Sequence, residues 1–172
     1  MRRTLIAVAF GILTFAGSAW ADGPIVRWDR VEGVIGADLT TINVGPILAS
    51  GRWRTTGEGR VVLNLETGFL SARVDGMSCA KHYPNCPIGS PAGVQPLIAT
   101  VVCNSTERFG PVEWVNTPTM KAGVDSLSYE GFLSLPSSCR EYPAELAFLI
   151  RHTETAPFWG SFILYGAERT IQ

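Results

Sequence analysis

The sequence predicts an all-β, disulfide-stabilised single domain, either one antiparallel β-sandwich or, as the alternative closure of the same strands, a small β-barrel. Three observations carry that prediction. Apolar and polar residues alternate with a period of two in several segments, and glycine and proline interrupt the chain at short intervals. No stretch repeats apolar residues at i, i+3, i+4 and i+7 over helical length. Short amphipathic strands separated by turns bury their apolar faces by packing sheet on sheet or by closing one sheet on itself.

Residues 1–21 open with Arg2 and Arg3, continue through an apolar run over 5–15 and end on Ala19, Trp20 and Ala21 before Asp22. Charged, apolar and small-residue regions in that order are those of a secretory signal peptide, with cleavage expected after Ala21. The apolar run is shorter than the roughly 20 residues of a spanning helix. The expected mature chain, 22–172, is therefore one all-β domain, secreted or periplasmic, with no stable membrane anchor after cleavage. The chain carries 14 basic and 15 acidic side chains. Loss of Arg2 and Arg3 with the leader leaves a net charge of about −3. With no block of like charge, that balance argues against a nucleic-acid partner, a polyanion groove and a basic membrane patch.

Residues 24–33, 37–44 and 47–54 are short β-prone runs separated by glycine and proline. The clearest element follows. Val61, Leu63 and Leu65 alternate with Arg60, Val62, Asn64 and Glu66; after a turn at Gly68, Leu70, Ala72 and Val74 alternate with Phe69, Ser71, Arg73 and Asp75. This is a β-hairpin, with Gly68 suited to a left-handed turn position. The next loop contains Pro84, Pro87 and Pro91 and is too rich in proline for a central strand.

Residues 94–103 return to strand, with Leu97, Ala99, Val101 and Cys103 on one face and Ile98, Thr100 and Val102 on the other, a pattern for a strand buried on both sides. A short strand is expected at 111–115 and an amphipathic one at 126–135, with Leu127, Tyr129, Leu133 and Leu135 inward. Residues 141–146 suit one helical turn. The last two strands are expected at 147–151 and 161–165, joined by a loop through Pro157.

Four cysteines, Cys79, Cys86, Cys103 and Cys139, in an exported chain read first as two disulfides, and three pairings are possible. The favoured one joins Cys79 to Cys86 and Cys103 to Cys139. Loop entropy then contributes roughly 2.5 and 4 kcal/mol respectively. The spacing Cys79-x2-His82-x3-Cys86 also suits three zinc or copper ligands, but the oxidising compartment favours the disulfide, so no metal or other cofactor is expected. His152, the other histidine of the chain, is expected at a strand end. No Gly-x-Ser-x-Gly elbow surrounds a serine. Of Trp28, Trp53, Trp114 and Trp159, the glycine-, arginine- or proline-flanked Trp53 and Trp159 are the expected exposed rings. Asn104-Ser105-Thr106 fits the N-glycosylation pattern. A membrane β-barrel would need strands of about 9 to 11 residues with an apolar outer face. Several strands here are shorter or carry charge there.

Arg73-Val74-Asp75-Gly76-Met77, His82, Ser128-Tyr129-Glu130-Gly131-Phe132-Leu133, Phe148-Leu149-Ile150-Arg151-His152-Thr153 and the later Gly166 together resemble chordin-type extracellular domains. In that family the first histidine belongs to a His-x-His pair, where this chain has Lys81-His82-Tyr83. The resemblance implies a β-sandwich in which a strand ending in His-Thr precedes the final strand. The chain also resembles small exported bacterial proteins, a likeness that implies no activity. The functional expectation is an exported, non-enzymatic binding or structural module for an extracellular or periplasmic protein or a glycan. Its candidate binding residues are Trp53, His82, Tyr83, His152 and Trp159, because loops on a rigid sheet scaffold carry recognition. The alternative is a small secreted metal-dependent or hydrolytic enzyme using His82 and His152.

Overall fold

The computed structural model describes residues 23–33, 43–48, 53–56, 58–79, 96–152 and 164–172. Its strands in chain order are β1 (Ile25–Gly33), β2 (Asn43–Val44), β3 (Ile47–Leu48), β4 (Trp53–Arg54), β5 (Gly59–Asn64), β6 (Phe69–Val74), β7 (Ser78–Cys79), β8 (Leu97–Cys103), β9 (Glu113–Thr119), β10 (Lys121–Ala122), β11 (Leu127–Phe132), β12 (Ala147–His152) and β13 (Leu164–Ile171). One short helix, α1 (Ser137–Glu141), and a 3-10 turn (Pro143–Glu145) precede β12.

The hairpin forms as its alternation requires, β5 pairing with β6 from Gly59↔Val74 to Leu63↔Leu70. Gly68 lies at φ 73, and a Cβ there would stand 2.1 Å from the Leu133 carbonyl oxygen, so the turn needs glycine both for its conformation and for space. From this hairpin the sheet grows in both directions, in the order β10-β11-β6-β5-β1-β13-β12-β8-β9, and every pairing is antiparallel. After β6 the chain crosses to β8, returns through β9 and β10, and lays β11 back beside β6, a Greek-key path.

The two margins of this sheet belong to one run of chain. Only Met120 separates β9 from β10, yet Thr119 pairs with Ile98 of β8 while Lys121 pairs with Ser128 of β11. The sheet thereby curls into a nearly closed barrel of eight staves, β9 and β10 forming one bent stave. At the bend the β8–β9 register shifts between Ile98 and Thr100. There the buried Thr117 hydroxyl accepts from the Ala99 N–H at 3.0 Å, replacing a ladder bond, and Pro118 follows where its missing N–H is tolerated.

An eight-stranded barrel has room inside for side chains and little else. Trp28, Leu63, Leu70, Val101, Phe148 and Ile150 fill it, with Trp28 and Phe148 ring centroids 5.8 Å apart. The expected inward set of β8, Leu97, Ala99, Val101 and Cys103, lies in this core. The opposite face of β8 is buried as well, because the β2–β3 hairpin packs outside the barrel there. Ile47 forms a second cluster with Val102, Val112 and Leu149. One outer side is therefore covered, whereas the outward residues of β5, β6 and β11 include exposed charges.

The lower end is closed by α1. Cys139 is bonded to Cys103, with Cα atoms 4.8 Å apart. Arg140 Nε donates to the Leu65 carbonyl at 2.9 Å, and the Ser138 hydroxyl donates to Glu113 at 2.5 Å. The expected Cys103–Cys139 pairing is thus present, while the Cys79–Cys86 pairing lies outside the described residues. Nearby, among the described residues, β12 and β13 pair at Leu149↔Tyr165 and Ile150↔Leu164. Beyond that point Arg169 donates to the carbonyls of Leu146 and Ala144. Desolvation lowers its pKa from the ordinary value, opposed by Glu145, and the guanidinium remains charged.

Three expectations change. Trp53 was expected at the surface and is 3% exposed, packed in the barrel core where β4 pairs with β7 and abuts β1. The last strand, described from Leu164, continues to Ile171, well past the expected end at 165, because Gly166, Ala167 and Arg169 to Ile171 pair with β1. The helical turn expected at 141–146 is split between α1 and the 3-10 turn, with Pro143 at the break.

Candidate functional site

The open side of the barrel is built by strand register. Directly opposed residues form one outward row, Arg60 on β5, Arg73 on β6, Ser128 on β11 and Lys121 on β10. The next outward row is Arg27 on β1, Val62 on β5, Ser71 on β6 and Glu130 on β11. Four cations from four strands thus share one face although the chain carries a net charge of −1, so the expectation against a polyanion groove, drawn from the absence of any block of like charge along the chain, does not hold for a face assembled by strand register. Asp29, Asp75 and Glu130 border or interrupt them.

The central feature is the Arg60–Arg73 pair. Directly opposed antiparallel residues place their Cβ atoms about 4.5–5.5 Å apart, and like charges in that position are destabilising. Asp75 relieves one member, accepting from Arg73 Nε at 2.8 and 3.1 Å, and this bond with its charge raises the Arg73 pKa. Arg27 Nε donates to the neutral Gln172 amide oxygen at 3.1 Å. Among the described residues, neither Arg60 nor Lys121 forms an ion pair.

Two adjoining depressions follow these rows and share Ser71. The larger, about 500 Å³, is bounded by Arg73, Thr119, Lys121, Ser128 and Glu130 beside Ser71 and lies over the seam where β10 meets β11. The smaller, about 360 Å³, lies between Arg27, Arg60, Val62 and Ser71. The hydroxyls of Ser71, Thr119 and Ser128 line the larger depression, and guanidinium or ammonium groups border both. Such a surface donates hydrogen bonds to anions and exchanges them with neutral hydroxyl groups.

The residues singled out in the sequence are distributed differently. Trp53 is internal. His152 is half-buried at the end of β12, opposite Leu97 of β8. His82, Tyr83, Cys86 and Trp159 lie outside the described residues. The structure therefore brings no pair of the candidate binding residues together among those it describes. Sequence reasoning passed over Arg27, Arg60, Arg73 and Lys121 because they are far apart along the chain. One signal was available: hairpin alternation about the Gly68 turn puts Arg60 and Arg73 on the same outward set.

Asn104, the first residue of the glycosylation pattern, holds a loop from within. It is 1% exposed and adopts φ 53. Its side-chain NH2 donates to the Gly110 and Pro111 carbonyls, and its Oδ1 accepts from the Phe109 N–H at 3.0 Å. The amide nitrogen a glycan would need is committed to holding the 104–111 loop. Asn104→Ala is expected to cost about 1–3 kcal/mol in urea unfolding, because buried loop groups lose their partner.

Among the described residues, no three His, Cys, Asp or Glu side chains converge as a metal site, and no helix is long and apolar enough to cross a membrane. No family model, curated protein or solved structure matches the chain.

Proposed function

We propose that the protein is an exported binding module that recognises anionic groups on the outward face formed by β1, β5, β6, β11 and β10. The observation that carries this reading is the Arg60–Arg73 like-charge pair, in one row with Lys121. A sheet keeps such a pair at a cost to its own stability, and a bound anion removes that cost. The signal-like N-terminus supports export, and the Cys103–Cys139 disulfide is compatible with an oxidising compartment. The enzymatic alternative rests on His82 and His152, of which only His152 is among the described residues.

The test separates recognition from folding. Arg60→Gln is expected to stabilise the ligand-free protein by about 0.2–1 kcal/mol in urea unfolding, through relief of the like-charge pair. The same variant is expected to weaken anion binding, measured by titration with acidic oligosaccharides, acidic peptides and inorganic phosphate at low salt. Wild-type binding is expected to fall as salt rises, since exposed charges are screened. A variant that is destabilised, or that binds every anion as the wild type does, would remove the basis for this face.

A further inference from the structure

Resting on that anion-binding reading, we infer that the ligand is an extended acidic polysaccharide lying across the strands, rather than a single small anion. The first argument is reach. Neighbouring strands are about 4.7–4.9 Å apart, so the row from Arg60 through Arg73 and Ser128 to Lys121 spans roughly 14 Å, and Arg27 extends the basic surface to one further strand. One carboxylate or phosphate engages one or two of these cations. A chain of linked sugars meets all of them in a single binding event, with each later contact made at high effective concentration.

The second argument is the chemistry between the cations. Ser71, Ser128 and Thr119 hydroxyls line the larger depression, offering both donors and acceptors of the kind sugar hydroxyls pair with. Glu130 stands in the row that contains Ser71 and Arg27. Its carboxylate accepts from a neutral sugar hydroxyl and repels a ligand as densely charged as duplex DNA, which carries one negative charge per about 1.7 Å, while tolerating a polymer whose charges are set farther apart.

The third argument is an aromatic ring. Phe132 is 65% exposed and lies on β11 two residues beyond Glu130, on the same outward side. It packs at 5.1 Å and 64° against the buried Phe69, which holds the ring in place. A pyranose has an apolar C–H face, and a ring already fixed in position gains its burial with little loss of side-chain freedom. A small inorganic anion makes no use of such a ring.

The experiment titrates the full chain with polygalacturonate and hyaluronan, each against its own monosaccharide or disaccharide, and against dextran and double-stranded DNA, at low and at physiological salt. Expected is at least tenfold tighter binding, per charged sugar, of one acidic polymer than of its small unit, with dextran and DNA weaker. Phe132→Ala, which keeps every charge, is expected to weaken polymer binding about three- to tenfold. Lys121→Gln is expected to weaken it similarly, with circular dichroism confirming that both variants fold. Equal per-unit affinity for polymer and small unit would overturn the extended ligand while leaving the anion face standing. DNA binding as tight as the polysaccharide, or indifference to Phe132→Ala, would overturn the glycan. Absence of binding to any anion at low salt would overturn this inference and the anion face together.

Discussion

Trp28→Ala is expected to destabilise the protein by about 3–5 kcal/mol, the usual cost of deleting a fully buried large aromatic side chain. Trp28 is 1% exposed and occupies the middle of the barrel against Phe148. For a chain of this size that corresponds to a fall in Tm of roughly 6–20 °C. A domain of ordinary stability, about 5–15 kcal/mol, remains folded but with little in reserve. The site also offers an internal control. A Cβ at Gly166 of β13 would lie 2.6 Å from Trp28 Cδ1 and 2.7 Å from Cγ, so Gly166→Ala alone is expected to cost about 1–3 kcal/mol by overpacking. With the indole removed the same methyl group enters vacated space. Thermal or urea unfolding of the double variant is therefore expected to show less than the sum of the two costs. Strict additivity would mean that the glycine is required for some reason other than the indole.

Removing the Cys103–Cys139 bond by Cys103→Ala with Cys139→Ala is expected to cost about 4 kcal/mol, since the bond closes a loop of 36 residues in the unfolded chain. The effect acts mainly on the unfolded state, because α1 keeps its contacts from Arg140 to Leu65 and from Ser138 to Glu113. Two measurements check this. The urea midpoint is expected to fall by roughly 2 M at an m-value near 2 kcal/mol/M, and m is expected to rise because the uncrosslinked chain exposes more surface. Circular dichroism of the folded variant is expected to match the parent. A loss below about 1 kcal/mol would contradict the loop-closure account.

These two variants probe features of different legibility. The disulfide pairing was readable as one of three possibilities from the compartment and the cysteine count. Burial of a large aromatic was readable only as a tendency, and for Trp53 flanking residues pointed the wrong way. Glycine and arginine neighbours describe local chain preference, whereas the ring's fate is decided by β4 meeting β7 and β1 at the barrel end. The same reason explains Asn104. A glycosylation sequon is a local pattern, and the hydrogen bonds that occupy its amide come from Phe109, Gly110 and Pro111 after the loop has folded. The extent of β13 escaped because its residues 166–171 contain a glycine, an arginine and a threonine where the eye seeks alternation. Pairing with β1 overrides that weak propensity.

By itself the sequence determined that the chain is all-β and antiparallel, that residues 59–74 make a hairpin turning at Gly68, that β8 is buried on both sides, and which faces of its clearest strands point inward. These follow from a period of two and from the few residues that accept a positive φ, both local properties of the chain. Tertiary structure alone decided that one bent run, β9 with β10, holds both margins of the sheet and draws it into a near barrel. It also decided that Arg27, Arg60, Arg73 and Lys121 stand together on one face of a net-acidic protein. Strand order and register bring residues up to about a hundred positions apart to within a few strand spacings of one another, and no pattern along the chain records which strands become neighbours.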